Sequence, residues 1–276
     1  MKKSLLTIAL AASYLFLTAQ VKMPQPSPVQ SVKQDFGMGN IELTYSRPSA
    51  KDRKVFGDLV PYNKMWRTGA NAATIIKFND PVEIKGKKID TGSYALYTIP
   101  GADKWEIILN KGVKNWGIDG YAESDDVVRV SVEPAKTTNM TETFTMQFTD
   151  IKPESLSLQI LWDKTVVNIP ITTNIKDRLR TQIESGLQSE KKPYWQAAQF
   201  YNEYDKNSAK ALENTTKAIE QNPKGFWMWL YKAKIQKEMG DKEGAMASAK
   251  KSLELATEQK NDDYIKMNEE LIKKLK

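Results

Sequence analysis

The chain has 276 residues and a formal net charge of +7, with 40% hydrophobic and 27% charged residues. This length predicts two domains, and this composition is ordinary for a soluble protein that buries a sizeable core. Because the sequence contains neither histidine nor cysteine, it excludes Ser-His-Asp and Cys-His catalysis, zinc sites of imidazole or thiolate, and disulfides.

Any acid or base that this protein uses must be a carboxylate, lysine or tyrosine. No phosphate-loop or calcium-loop motif occurs, and Gly37-Met38-Gly39 lacks the third glycine of a dinucleotide loop. We therefore expect no metal and no cofactor. Nucleic acid is not expected as a partner, since residues 20–175 carry 19 basic and 18 acidic side chains and residues 176–276 carry 20 and 16.

Residues 1–19 have the pattern of a signal peptide. Lys2 and Lys3 precede an apolar segment, Leu5–Leu17, and Ala19 offers a cleavage site before Gln20. A segment of 13 residues is too short to cross a hydrocarbon core, so we expect export to the periplasm or the exterior and no membrane span in the mature chain. Residues 20–28 contain prolines at alternate positions and predict an extended tether without a packed role.

The pattern of residues 29–174 is that of short β-strands. Apolar and polar residues alternate at Ile41, Leu43 and Tyr45, and turn residues such as Gly86 and the pair Pro100-Gly101 interrupt the pattern. About ten such strands predict an antiparallel sandwich or a barrel-like pair of sheets.

Residues 175–276 differ in kind, because they lack this alternation and are rich in alanine, lysine, glutamate and leucine. They repeat at an offset of 34, which places these residues in equivalent positions: Trp195 and Trp229, Ala211 and Ala245, Ile219 and Leu253. This period resembles the tetratricopeptide repeat, in which small alanines let paired helices approach closely. The alternative is an unrelated helical bundle. The resemblance implies a helical-repeat domain that holds a protein or peptide partner.

The most unusual segment is the run Tyr45–Asn71, which carries three arginines and three lysines against two aspartates. Arginine suits carboxylate or phosphate, and aromatic faces suit a sugar ring or a peptide. The candidate binding residues for a small polar ligand are Arg47, Tyr62, Trp66, Arg67, Asn71, Trp116 and Tyr121. The competing interpretation is structural: Arg47 and Arg67 pair with Asp35, Glu42 or Asp58 and fix a long connection, while the aromatic side chains are buried as core.

Several segments resemble a bacterial exported family catalogued as a domain of unknown function, number 2911, over about residues 28–173. They include Tyr45-Ser46-Arg47-Pro48, Trp66-Arg67-Thr68-Gly69-Ala70-Asn71, Gly92–Pro100, and Trp116-Gly117 with Tyr121. The resemblance implies an envelope location in bacteria of the Bacteroidetes type. It implies no activity and transfers no catalytic residue, and the helical tail lies outside it.

Three functions stay open from the sequence. The first is a non-enzymatic binding or protein-interaction module of the envelope. The second is a glycan hydrolase with two catalytic carboxylates about 5–10 Å apart, drawn from these candidates: Glu83, Glu106, Asp119, Asp125 and Asp126. The third is an assembly or chaperone-like factor that works through the helical tail.

Overall fold

The computed structural model describes residues 23–276, so the predicted signal peptide lies outside the described residues. The described chain forms two compact units. One unit ends at Thr173 and contains all the strands, and the other comprises Asn174–Lys276 and is helical. The predicted order of a β domain followed by an α domain is therefore confirmed.

The β unit contains ten strands within the described residues. They are β1 (Val29–Phe36), β2 (Gly39–Ser46), β3 (Thr74–Phe78), β4 (Val82–Ile84), β5 (Lys87–Ile89), β6 (Gly92–Ile99), β7 (Trp105–Asn110), β8 (Asp126–Val132), β9 (Pro134–Lys152) and β10 (Ser155–Thr172). One sheet has the order β1-β2-β3-β6-β7-β8 and the other β5-β4-β10-β9, with antiparallel pairing between neighbours. Both sheets are open, so the architecture is a sandwich and the barrel-like alternative is wrong.

The sandwich core lies between the two sheets. Leu43 and Ile76 from the six-stranded sheet share one apolar cluster with Leu158 and Ile169 from the four-stranded sheet. Burial of each such side chain contributes about 1.5–3 kcal/mol to folding. The alternation visible in the sequence therefore orients one face of each strand toward this core.

Turn geometry agrees with the sequence at the β4–β5 hairpin. Lys85 and Gly86 connect the paired residues Ile84 and Lys87, and both have positive φ, 51° and 76°. A two-residue hairpin of this kind requires positive φ at both central positions, which explains the glycine.

Strands β9 and β10 are much longer than the sequence indicates, with 19 and 18 residues. The apolar pattern of Val166–Ile171 by itself predicts a separate short strand, but this segment is the second half of β10. Register shifts on both sides of Asp163, which itself has a φ of 53°, mark irregularities in this hairpin. A bulge bends a strand without ending it, and so one long strand resembles two short ones in sequence.

The helical unit contains six α-helices among the described residues. They are α1 (Lys176–Gly186), α2 (Tyr194–Glu203), α3 (Ser208–Gln221), α4 (Phe226–Glu238), α5 (Lys242–Glu258) and α6 (Asp262–Leu275). None of these helices combines the length and the apolar character that a membrane span requires.

Alanines and end caps organise the helices. Ala211 on α3 and Ala245 on α5 are fully buried. The side chains of Asn207 and Asp241, again 34 positions apart, accept hydrogen bonds from the first-turn backbone N–H groups of α3 and α5. Such caps satisfy donors that a helix start leaves without partners. Trp195 is half-buried and packs edge-on against Tyr231 with 5.0 Å between ring centroids.

Candidate functional site

The connection between β2 and β3, residues 47–73, has no regular secondary structure, but hydrogen bonds fix it to the sandwich. The backbone of Trp66 forms two hydrogen bonds with Thr98 of β6, 2.8 and 2.9 Å long. Ten non-glycine residues of the described chain have positive φ, and five of them lie here: Lys51, Asp52, Asn63, Thr68 and Asn71. Such conformations are uncommon and tend to cluster at functional sites.

Trp66 joins this connection to the core. Its indole stacks on Trp162 with ring centroids 6.0 Å apart and packs edge-on against Phe144 at 5.2 Å. The indole N–H donates a 3.0 Å hydrogen bond to the carbonyl oxygen of Gly69. Packing on one side and a hydrogen bond on the other fix the ring, so that Trp66 and Trp162 together form a rigid apolar floor.

A pocket of about 400 Å³ lies above this floor. Four cationic residues line it, and no carboxylate does. The cations are Lys51, Arg53, Lys64 and Arg67, and the apolar lining includes Pro48, Leu59, Val60, Pro61, Met65, Trp66 and Trp162. A concave, largely apolar site with a few charged groups of one sign is suited to a small anion that also has an apolar part.

The side-chain cations of the pocket have no carboxylate within 4.0 Å in residues 23–276, and the carboxylate of Glu142 accepts instead from the backbone N–H of Lys51 at 2.8 Å. Arg129, by contrast, lies 2.7 Å from carboxylate oxygens of both Glu106 and Asp126. Arg53 donates from Nε and Nη2 to the carbonyl oxygens of Ala50 and Ser49, each at 2.8 Å. These bonds orient the guanidinium without neutralising its charge, so the pocket lining carries an excess of positive charge.

The N-terminal segment forms part of the pocket wall, since Pro26 and Ser27 line it. Asn71 Nδ2 donates weakly to the carbonyl oxygen of Ser27 at 3.4 Å and to Ser46 Oγ at 3.3 Å, and the backbone N–H of Arg47 donates to the carbonyl oxygen of Pro28 at 2.9 Å. The prediction that residues 20–28 have no packed role is therefore wrong for the end of this segment. The prolines favour an extended chain, which leaves backbone carbonyls free to accept these bonds.

Only two of the predicted binding residues, Trp66 and Arg67, line the pocket. Asn71 contacts the N-terminal part of the pocket wall through its hydrogen bond to Ser27. Arg67 Nη1 donates to the carbonyl oxygen of Asn71 at 3.2 Å. Arg47 donates to the carbonyl oxygen of Phe144 and to Thr145 Oγ1. Arg47 thus follows the structural interpretation, although its partners belong to β9 and are not the expected carboxylates.

The other three predicted residues lie outside the pocket lining. Tyr62 packs partly buried against the core, Trp116 is 65% exposed, and Tyr121 packs edge-on against Tyr97. The site residues predicted from the sequence do not include Lys51, Arg53 and Lys64. The excess of positive charge in the run Tyr45–Asn71 was the signal that could have identified them.

Two of the carboxylates considered for hydrolysis, Glu106 and Asp126, share Arg129 as their partner. Tyr121 donates to Asp126, and Arg129 Nη2 donates to the Tyr121 hydroxyl at 2.8 Å. Burial, followed by the bond to Asp126 and its charge, raises the pKa of Tyr121 to about 12. Arg129 forms ion pairs with both carboxylates, whereas a glycoside hydrolase needs one protonated carboxyl facing the sugar. Residues 23–276 contain no cluster of three or more metal-ligating side chains.

The fold and the pocket together define a two-unit protein in which an antiparallel sandwich carries a basic, tryptophan-floored site and a helical unit follows. A family model described as Protein of unknown function (DUF2911) matches residues 27–171, more than half of the chain. The chain therefore belongs to this family, as its sequence motifs predicted. No curated protein and no solved structure gives a significant match. The matched region contains every pocket-lining residue except Pro26.

Proposed function

We propose that this protein is a non-enzymatic, exported envelope module whose sandwich binds an organic anion with an apolar part. The observation that carries the proposal is the pocket of about 400 Å³ with four unpaired cations over Trp66 and Trp162. The cations supply attraction for negative charge, and the indoles supply a dry surface for the apolar part. The proposal of export rests on the charge and apolar pattern of residues 1–19.

We further propose that the helical unit is an array of tetratricopeptide-like hairpins that contacts a protein or peptide partner. Two features support this idea: the buried alanines Ala211 and Ala245, and the capping residues Asn207 and Asp241, each pair with the same spacing of 34. Helical hairpins of this period stack into arrays with extended binding surfaces.

A pair of dyes tests anion binding. Anilinonaphthalene sulfonate carries a negative charge on an aromatic system, and phenylnaphthylamine is the same aromatic system without the charge. We expect the sulfonate to bind the full-length mature chain at one site, at least tenfold more tightly than the neutral dye, with an affinity that falls as salt is raised. Equal affinities for the two dyes would contradict the proposal.

Lys64 and Lys87 supply a matched pair of charge reversals. Both are exposed lysines of the β unit, but only Lys64 lines the pocket. We expect Lys64→Glu to weaken sulfonate binding about tenfold and Lys87→Glu to leave it within about twofold, since both change the net charge equally and only one changes the local potential. Equal effects would place the dye elsewhere on the surface.

Another prediction concerns Pro26 and Ser27, the N-terminal part of the pocket wall. Deleting residues 20–27 removes Pro26 and Ser27 from the pocket, and we expect sulfonate affinity to fall about threefold to fivefold because less of the dye is buried. A shorter deletion of residues 20–25 keeps both lining residues and is the control. If the two deletions bind the dye equally well, the wall does not contribute to binding.

A further inference from the structure

The only exposed tryptophan of the chain belongs to a loop that touches a residue of the pocket. All seven tryptophans belong to the described residues, and Trp116 is the one with an exposed side chain, at 65%. Its indole has no ring contact and no hydrogen bond in residues 23–276. It therefore offers a free flat face and a free N–H donor to solvent.

The Trp116 loop, residues 111–122, is adjacent to Arg67. A Cβ atom built on Gly117 would lie 2.5 Å from Arg67 Nη1, and φ of Gly117 is +66°. Arg67 thus touches the loop and also lines the pocket. Arg67 therefore connects the pocket with the loop that carries the exposed indole.

The loop is braced. Asn110 Nδ2 donates to the carbonyl oxygen of Ala122 at 2.9 Å, and Asn110 Oδ1 accepts from the backbone N–H of Gly112 at 2.8 Å, which ties the two ends of the loop together. Asn115 Nδ2 donates to the Tyr97 hydroxyl at 3.2 Å. A large aromatic ring exposed on a loop with this many internal bonds is preorganised for a ligand, because little conformational entropy remains to be lost on binding.

We infer that the ligand is an acidic oligosaccharide that occupies the basic pocket with one charged sugar, passes over Arg67 and stacks another sugar ring on Trp116. This inference rests on the proposed anion-binding function and specifies its ligand. Separate cations match a chain with repeated carboxylates, and an exposed indole matches the apolar face of a sugar ring. Asp119 is the only acid of the loop, against Lys111 and Lys114, so the loop itself has a positive net charge.

An acidic peptide fits the same surface less well. An extended peptide that binds through its backbone pairs with the exposed edge of a sheet. The edge strands of the two sheets are β1, β8, β5 and β9, and none of them contributes a residue to the pocket lining. A peptide would therefore lack its backbone partners, whereas an oligosaccharide needs only cations, hydroxyl partners and a flat ring.

Calorimetric titration of the full-length mature chain with galacturonic acid and with its hexamer tests the inference. We expect the hexamer to bind at least tenfold more tightly than the monomer and neutral maltohexaose not to bind. Trp116→Ala should weaken hexamer binding about tenfold and leave monomer binding unchanged, because only the longer ligand reaches the indole. Ile118→Ala, a second exposed apolar residue of the loop, is the control and should change neither affinity by more than about twofold.

Several results would overturn the inference. They are equal affinity of monomer and hexamer, an unchanged hexamer affinity in Trp116→Ala, or a Trp116-dependent affinity for hexaglutamate or for phosphatidylglycerol vesicles that equals the affinity for the hexamer. If sulfonate dye binding still depends on Lys64 in any of these cases, the anion-binding function stands and only the oligosaccharide assignment fails. If the oligosaccharide assignment fails and dye binding does not depend on Lys64 either, the proposed anion-binding function fails as well.

Discussion

Replacing Trp66 with alanine should lower the free energy of unfolding of the β unit by about 3–5 kcal/mol, the usual cost of truncating a buried tryptophan. The side chain is only 8% exposed and contacts the rings of Phe56, Trp105, Phe144 and Trp162. Since domains are typically stable by only about 5–15 kcal/mol, the variant should lose a large part of the stability of the β unit, and it should lose dye binding together with the pocket floor.

Hydrogen exchange resolved by peptide, measured on the full-length chain, checks this prediction. Peptides from β6 and β10 should lose protection, whereas peptides from α3 and α5, which belong to the other compact unit, should not. Trp116→Ala is the matched control, because the same truncation at an exposed position should change stability by no more than about 0.5 kcal/mol. Protection in Trp66→Ala that stays as high as in Trp116→Ala would show that Trp66 does not stabilise the core.

Replacing Arg129 with alanine should cost the β unit about 2–3 kcal/mol. Removing one partner of a buried ion pair costs about 3–5 kcal/mol, and an exposed pair contributes at most about 1 kcal/mol. The Arg129 site lies between these limits, since the side chain of Arg129 is 31% exposed and that of Asp126 only 11%. The variant leaves Asp126 and Glu106 without their cation.

The same variant should change the behaviour of the β unit at high pH. The pKa of Tyr121 is raised from 10.0 to about 12, and the positive charge of Arg129 opposes this rise. The neutral phenol therefore contributes stability that is complete below pH 10 and is lost as the pH approaches 12. Without Arg129, the pKa should rise further, and phenolate absorbance should show one tyrosine ionising later than in the wild type.

The control for Arg129→Ala is Lys77→Ala. Lys77 lies on β3 of the same sheet and pairs with Glu42 at 3.6 Å, but both side chains are about 40% exposed. Screening by water and salt makes such pairs weak, so we expect a change of no more than about 0.5 kcal/mol in urea unfolding. An equal loss in the two variants would mean that the Arg129 cluster acts as an ordinary surface pair.

Local patterns in the sequence were enough to predict most of the fold. The alternation of Ile41, Leu43 and Tyr45 reports which face of β2 meets the core, because neighbouring residues of a strand point to opposite faces. The Lys85-Gly86 turn predicts its hairpin, because a two-residue turn requires positive φ at both central positions. The lengths of β9 and β10 were missed, because the irregularities around Asp163 interrupt the alternation without ending the strand.

The site was harder to predict, because it depends on contacts between distant segments. Trp66 is a candidate in both the binding and the structural interpretation of the sequence, and in the structure it belongs to the core and also lines the pocket. No feature of the sequence around Ser27 indicates that its carbonyl oxygen accepts a hydrogen bond from Asn71, 44 residues away. Arg47 and Arg67 belong to the same basic run, yet Arg47 bonds to β9 and Arg67 lines the pocket, a difference that only the packing of the sandwich decides.

The register of the last strand has a consequence for how the protein is made. Ile171 and Thr172 pair with Ile84 and Glu83 of β4, almost ninety positions earlier in the chain. The smaller sheet therefore stays incomplete while a growing polypeptide ends before residue 171, and formation of distant pairs of this kind is slow. A nascent chain arrested on the ribosome before β10 has emerged should remain sensitive to protease, and one extended beyond it should become resistant in a single step.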